Sequence, residues 1–264
     1  MSRLASALKT SLKWLLIALA VVLLLVFLII SAVLLALRSD AGTAWVLDQI
    51  PGLETTAASG SLLGEWQAEH LAWQGYGVTL EVASPLIDWS PTCLFRKDLC
   101  LERLKAASID VAMSGTASDD GATKDGPITL PDVSLPLDIE IRSVDLGPLH
   151  YNGTLVWDHL TLQAGGGGSD VQIRQLALER EDVSLALDGR IETRGDWPLA
   201  IDVDLTLPPP YGDRWQVQGE LRGSVRDLRA NLSSSGYLDG QLEAELAPLD
   251  PSLPADLSLR SDAF

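Results

Sequence analysis

Cys93 and Cys100 are the only two cysteines in the chain, and their spacing can close a small covalent loop. A disulfide there is worth roughly 2.5 kcal/mol on the chain-entropy relation for a loop of about eight residues, less any strain. The rival chemistry for a cysteine pair is metal binding. It needs further ligands, and the three histidines, His70, His150 and His159, are scattered with no third sulfur to join them. Two acid pairs, Asp119-Asp120 and Glu181-Asp182, could in principle share acid/base work. Neighbours along a strand point to opposite faces, however, and neighbours in a loop are solvated, so neither pair supplies two carboxylates across one gap. Gly165 to Gly168 has the look of a phosphate loop but lacks the Lys-Ser/Thr partner and a following helix. Nucleophile-elbow, zincin and dinucleotide signatures are missing too, so no catalytic residue, cofactor or metal is assigned and the chain reads as a non-enzyme. Trp66, Trp73, Trp89, Trp157, Trp197 and Trp215 could grip sugars or lipid headgroups. At strand starts and turns they read instead as caps on the ends of apolar layers.

The elements that would carry these residues begin with a helix. Trp14 to Leu37 is an uncharged run, apolar but for Ser31. At about 1.5 Å per residue it reaches roughly 36 Å, enough to span a hydrocarbon core of about 30 Å with some tilt. Arg3, Lys9 and Lys13 precede it with no acid, whereas Asp40, Asp48 and Glu54 follow soon after Arg38. The positive-inside rule then puts residues 1–13 in the cytoplasm, 14–37 across the membrane and the remainder outside. A cleaved signal peptide is the alternative, with Ala41-Gly42-Thr43-Ala44 as the cleavage site. The run is longer than a signal core and Arg38 and Asp40 intervene, so an uncleaved anchor is expected. In that compartment the Cys93–Cys100 disulfide persists. Residues 38–52 form the next unit, a short juxtamembrane helix with Ser39 or Asp40 as N-cap and Pro51-Gly52 as its stop.

The formal net charge is −17, and four of the positive charges (Arg3, Lys9, Lys13 and Arg38) lie in the first 38 residues, which hold no acid. Residues 39–264 therefore carry −21, which excludes nucleic acid as a partner.

After Gly52 the sequence offers no second helix and reads as about a dozen short alternating segments punctuated by Gly, Pro, Asp and Ser, an antiparallel meander. In the clearest, Val183, Leu185, Leu187 and Ile191 fall on one face while Ser184, Asp188, Arg190 and Glu192 fall on the other. Val133, Leu135, Leu137, Ile139 and Ile141 repeat the pattern, as do Leu199, Ile201, Val203 and Leu205 ahead of the stop at Pro208-Pro209-Pro210. Val217 and Leu221 continue it, then Leu242 and its neighbours, and it runs on through Leu253, Ala255, Leu257 and Leu259. Ser114 to Pro127 reads as a mobile excursion and Ala164 to Ser169 as a second flexible connection. One-sided strands need a cover. A sandwich, a closed barrel and a sheet curled into an open trough that holds acyl chains all meet that need.

Gly60-Ser61-Leu62-Leu63-Gly64 with Glu65 and Trp66, then Leu71-Ala72-Trp73, Gly77 to Val82 and Leu86-Ile87-Asp88-Trp89, resembles the opening repeat of the TamB family of translocation and assembly module subunits. The cysteine pair with Leu94, Leu99 and Leu101, the strand Ile109-Asp110-Val111, the Asp196-Trp197-Pro198-Leu199 turn, the anchor and the short helix also fit. TamB-like chains group with the AsmA-like proteins, which are similar to bridge-like lipid-transfer proteins. The resemblance implies a mainly β fold in which residues 53–264 form an elongated antiparallel sheet curled into an open, taco-like hydrophobic groove. It implies that Val133, Leu135, Leu137, Ile139, Val183, Leu185, Leu187, Ile191, Leu199, Ile201, Val203, Leu205, Val217, Leu221 and Leu242 line that groove. It further implies an inner-membrane protein with its bulk in the periplasm, moving phospholipid toward the outer membrane. An outer-membrane barrel, TamA, is the implied partner through a C-terminal region beyond these residues, the chain being expected to be the start of a longer protein. The alternatives are an assembly factor for outer-membrane proteins or autotransporters and a passive bitopic scaffold.

Overall fold

The computed structural model describes residues 2–113, 130–208, 214–250 and 254–261, with the side chains of the first helix described for Leu19 and from Val21 onward. The expected excursion at 114–127, Pro209, Pro210 and Leu253 lie outside the described residues, as do the side chains of the flanking charges Arg3, Lys9 and Lys13.

Helix α1 spans Ser2–Leu37 and α2 spans Asp40–Leu47. Alanine and leucine favour α1, and Arg38 with the Ser39 cap ends the apolar run. Ser39, in extended conformation, caps α2: its Oγ accepts from the Gly42 N–H at 3.1 Å. A Cβ at Gly42 would overlap the Ala36 carbonyl, so glycine lets α2 double back tightly against the end of α1. The two helices meet at 90°.

Strand β1 (Leu53–Thr56) follows, then β2 (Ser59–Gly60), β3 (Glu65–Gln67), β4 (His70–Gly75), β5 (Val78–Ala83) and β6 (Leu86–Ser90). A short 3-10 helix at Pro91–Arg96 leads into β7 (Asp98–Ala106) and β8 (Ser108–Met113). Next come β9 (Leu135–Leu146), β10 (Leu149–Tyr151), β11 (Thr154–Trp157), β12 (His159–Gly168), β13 (Asp170–Arg180) and β14 (Val183–Glu192). The last are β15 (Pro198–Leu207), β16 (Trp215–Ser224), β17 (Leu228–Ser235), β18 (Gly240–Leu246) and β19 (Ala255–Arg260). These make a six-stranded sheet, order β1-β4-β5-β8-β10-β11, and a thirteen-stranded sheet, order β19-β18-β17-β16-β15-β14-β13-β12-β9-β7-β6-β3-β2.

The mainly β reading holds, but the single sheet curled into a taco-like hydrophobic groove is overturned. The strands divide between two sheets, and neither curls or closes into a groove: the thirteen-stranded order simply runs from β19 to β2. Two ladders, β7 with β9 and β8 with β10, are parallel, which a pure meander forbids. The apolar side chains of β14 to β16 are half-buried at most, and no large side chain among the described residues is fully buried. Alternation dictates which side chains share a face. It does not dictate curvature or which strand is the ladder neighbour.

Three smaller expectations are corrected. The described residues hold nineteen strands where about a dozen were expected, because two- to four-residue pieces such as β2, β3, β10 and β11 leave almost no periodic trace. A 3-10 helix at Pro91–Arg96 stands where the sequence offers no helix after Gly52, because so short a turn has no apolar period of its own. Gly165 to Gly168 is no flexible connection but the end of β12, laddered to β9 on one side and, through Gly167, to β13 on the other. The Cys93–Cys100 disulfide is present, joining the 3-10 helix to β7 with both residues buried.

Candidate functional site

The thirteen-stranded sheet has one apolar and one charged face. Reading directly opposed partners across the ladders gives an unbroken row: Trp89, Leu101, Ile141, Ala164, Ile173, Gly189, Ile201, Leu221, Ala230, Ala244 and Leu257. Eleven strands spaced about 4.8 Å apart carry it some 48 Å. A parallel row passes through Leu176, Leu187, Val203, Gly219, Leu232, Leu242 and Leu259. Between them they bring together Leu187, Ile201, Val203, Leu221 and Leu242. Leu185, Leu205 and Val217 form a third line on the same face, and Ile191 opposes Leu199. Leu135, Leu137 and Ile139 alternate as half-buried residues with exposed Pro136 and Asp138. Val133 stands apart: it precedes β9, is exposed, and is pinned by Thr193, whose hydroxyl donates to its carbonyl at 2.7 Å.

Ala164, Ile173, Ala230 and Ala244 belong to the main row but were absent from the expected lining. Alanine is a weak hydrophobic signal, and Ala164 sits beside the glycine run that reads as loop. Ala164, Ala230 and Ala244 are among the few well-buried residues.

The opposite face is charged and cross-stitched. Arg103 bridges Glu65 at 2.6 Å and Asp88 at 3.0 Å; Arg142 meets Glu102 at 2.6 Å; Arg222 meets Asp202 at 2.9 Å. Hydrogen bonding to Asp88, with help from Glu65, raises the Arg103 pKa, and Glu220 does the same for Arg222. Asp145 lies 2.8 Å from His159 Nε2 and 3.2 Å from Lys105 Nζ, and these hydrogen bonds, His159 first, hold its pKa below the ordinary carboxylate value.

The register shifts of neighbouring ladders line up across the middle of the sheet, at Asp88/Trp89, Leu162/Ala164, Gln163/Ala164 and Ile173/Leu176. Arg174 is the inserted residue in β13. Its Nη2 reaches Glu140 Oε1 at 2.8 Å and also donates to the Ala164 and Ile141 carbonyls. The glycines of β12 make room for this. A Cβ at Gly165 would stand 2.9 Å from Glu140 Oε2 and 3.1 Å from Arg174 Nη1, and one at Gly167 would overlap the Asp138 carboxylate. Two open clefts of about 520 and 540 Å³ flank this bed, and both are walled by arginines and acids. Among the described residues no group of three or more His, Cys, Asp or Glu side chains could hold a metal ion.

The tryptophans act as clips. Indole N–H groups donate from Trp89 to Leu62 O at 2.7 Å, from Trp157 to Gly147 O at 3.2 Å, from Trp197 to Pro131 O at 3.1 Å and from Trp215 to Ser234 Oγ at 2.7 Å.

At the other end of the molecule the helices are tied to the first hairpin. Ser61 Oγ donates to the Leu37 carbonyl at 3.0 Å, the Gly60 N–H donates to Asp40 Oδ1 at 2.8 Å, and the Leu62 N–H donates to Thr43 Oγ1 at 3.1 Å. Thr43 is 2% exposed. No sequence motif pointed to Asp40, Thr43 and Ser61 as a unit, since the three bonds span 19 to 24 residues. Leu19, Val21 to Ile30 and Val33 to Leu35 of α1 present exposed apolar side chains. Among the described residues no single helix is long and apolar enough to cross a membrane, whereas Val21–Leu37 and Asp40–Leu47 qualify together as a bent pair.

In comparisons with known proteins, a family model described as TamB, N-terminal domain, matches residues 27–128 and 118–264. No curated protein and no solved structure matches.

Proposed function

The chain belongs to the TamB N-terminal domain family, and we propose that it is an inner-membrane-anchored envelope protein that passes phospholipid along the open apolar face of its thirteen-stranded sheet. Binding and sliding require no reacting group. In this reading residues 1–13 are cytoplasmic, 14–37 cross the membrane once, 38–52 lie at its outer surface and 53–264 stand in the periplasm. The lipid contacts are the expected lining residues, joined by Ile141, Ala164 and Ile173. The partner in this reading is the one typical of the family, the outer-membrane component TamA.

The observation that carries this reading is the row of laddered residues from Trp89 to Leu257, apolar side chains on every strand but β14, where Gly189 holds the place. A diacyl lipid exposes about 30 methylenes at about 0.8 kcal/mol each, so release into water costs on the order of 25 kcal/mol. Contact along one side of an open sheet removes roughly half of that. Leucine and valine form no directional bonds, so the acyl chain meets no deep trap from one strand to the next.

The test is photo-crosslinking from Leu187, Ile201 and Leu221 in the intact, membrane-inserted chain, followed by mass spectrometry of the adducts. Phospholipid adducts at all three positions are the expected result. A second reading, assembly of outer-membrane proteins by strand addition, draws on the open edges at β1 and β11. Adducts with unfolded polypeptide alone would favour it and remove the lipid reading.

A further inference from the structure

The six-stranded sheet ends, on one side, in a row of exposed apolar and aromatic residues. Ladder registers bring them to one rim. Leu53 opposes Trp73, so the β4–β5 turn with Tyr76 at its tip lies beside Gly52, and the Gln74 N–H donates to the Gly52 carbonyl at 2.8 Å. Val78 opposes Met113 on the next strands, and Val111 opposes Tyr151 beyond that. Tyr151 Oη meets Met113 Sδ at 2.9 Å. Tyr76 is 101% exposed, and Ile50, Met113 and Tyr151 are all exposed as well.

This rim continues from α2. The Leu53 N–H donates to the Ile50 carbonyl, and Trp45 on α2 is 67% exposed. Helix α2 in turn leaves α1 at 90°. If α1 stands along the membrane normal, α2 lies in the plane of the bilayer surface, and the latch through Asp40, Thr43 and Ser61 holds it there against the first hairpin.

We propose that Trp45, Ile50, Tyr76, Met113 and Tyr151 form a second membrane contact, a rim that rests in the headgroup layer of the bilayer that α1 enters. Tryptophan and tyrosine favour that layer because each has an apolar body and a polar tip. Trp45 lies eight residues past the end of the apolar surface of α1, across the 90° bend, and this nearness identifies the occupant as a bilayer. The stretches 45–56, 74–78, 111–113 and 149–154 contain no lysine or arginine and include Asp48 and Glu54. Insertion is therefore driven by apolar and aromatic contact and does not call for anionic lipid. The inference rests on α1 being the anchor and is independent of lipid passage along the sheet.

The test places nitroxide labels on the full chain at Tyr76→Cys, Met113→Cys, Leu28→Cys and Tyr237→Cys, one at a time, in vesicles of phosphatidylcholine with and without phosphatidylglycerol. Relaxation by a water-soluble nickel complex reports depth. The expected result is loss of most nickel relaxation at Tyr76 and Met113, full relaxation at Tyr237, protection at Leu28 and no dependence on phosphatidylglycerol. Nickel relaxation at Tyr76 and Met113 equal to that at Tyr237, with Leu28 protected, overturns the rim while the anchor stands. Relaxation at Leu28 overturns the anchor and the rim together. Protection at Tyr76 accompanied by spin–spin broadening that grows with protein-to-lipid ratio assigns the rim to a second copy of the chain and overturns the bilayer assignment.

Discussion

Placing charge on the apolar face of β14 should stop lipid from crossing that strand while leaving the protein folded. Leu185 and Leu187 are both half-buried on this face, with Leu205 and Val203 opposite them on β15. The double variant Leu185→Asp, Leu187→Asp sets two carboxylates about 7 Å apart across the path. An aspartate held against hydrocarbon costs about 3 kcal/mol, by analogy with aspartate at the centre of a membrane helix. A barrier of that size slows crossing about 100-fold. The cost to folding is smaller, about 1 kcal/mol per site, because each leucine is only partly removed from water in the first place.

A barrier alters rate and not equilibrium, so the assay must be time-resolved. A pulse of radiolabelled phospholipid is supplied to the membrane, and labelled adducts are collected over time from crosslinkers at Ile139, on the anchor side of β14, and Leu221, beyond it. The prediction is unchanged labelling at Ile139 and labelling at Leu221 delayed about 100-fold. The matched double variant Ser184→Asp, Ala186→Asp puts the same charge on the opposite face of the same strand and should leave both rates unaltered. Equal delays in both doubles, or no delay in a folded Leu185→Asp, Leu187→Asp protein, would refute the reasoning that lipid travels on this face.

Loss of the disulfide through Cys93→Ala with Cys100→Ala should lower unfolding stability by about 2.5 kcal/mol at most, read from the urea midpoint of the membrane-inserted chain, and reduction of the parent should match it. Thr43→Val keeps the shape of a nearly inaccessible side chain but removes the acceptor for the Leu62 N–H, so a loss of about 1–2 kcal/mol is expected. Hydrogen exchange should quicken at Leu62 and not at Leu221. Asp145→Asn removes a carboxylate whose pKa is held low by His159 and Lys105. That stabilisation is complete above the ordinary carboxylate pKa and fades as pH falls through the depressed value, so the stability gap between parent and variant should close on acidification. A gap that widens as pH falls would reverse the sign and exclude this pairing as its source.

Local residue order made some features readable and hid others. Ser39 as cap and the cysteine pair were legible because each acts within a few residues of itself, whereas α2 ends at Leu47 with Asp48 as its C-cap, ahead of the expected stop at Pro51-Gly52. The face assignments of β14 to β18 were legible because a strand's side-chain period is a local property. The glycines at 165–168 misled because a run without side chains carries no period at all. Only the carboxylates and the arginine arriving from β9 and β13 explain why glycine occupies β12. Helix α2 was visible as a helix, whereas the bonds that tie it to Gly60, Ser61 and Leu62 join distant segments whose residue types are common everywhere.

By itself the sequence determined a helix with an uncharged apolar run at 14–37, a short capped helix after it, an acidic β-rich body, one disulfide and a set of strands with a wet side and an apolar side. Only the tertiary structure decided that these strands divide between two sheets, that β7 pairs in parallel with β9, and that the apolar side is an open face and no curled groove. The reason is physical. Which side of a strand is apolar depends on residues two apart, whereas ladder partners and sheet curvature depend on contacts between segments tens of residues apart, which compete with many alternatives of nearly equal local energy.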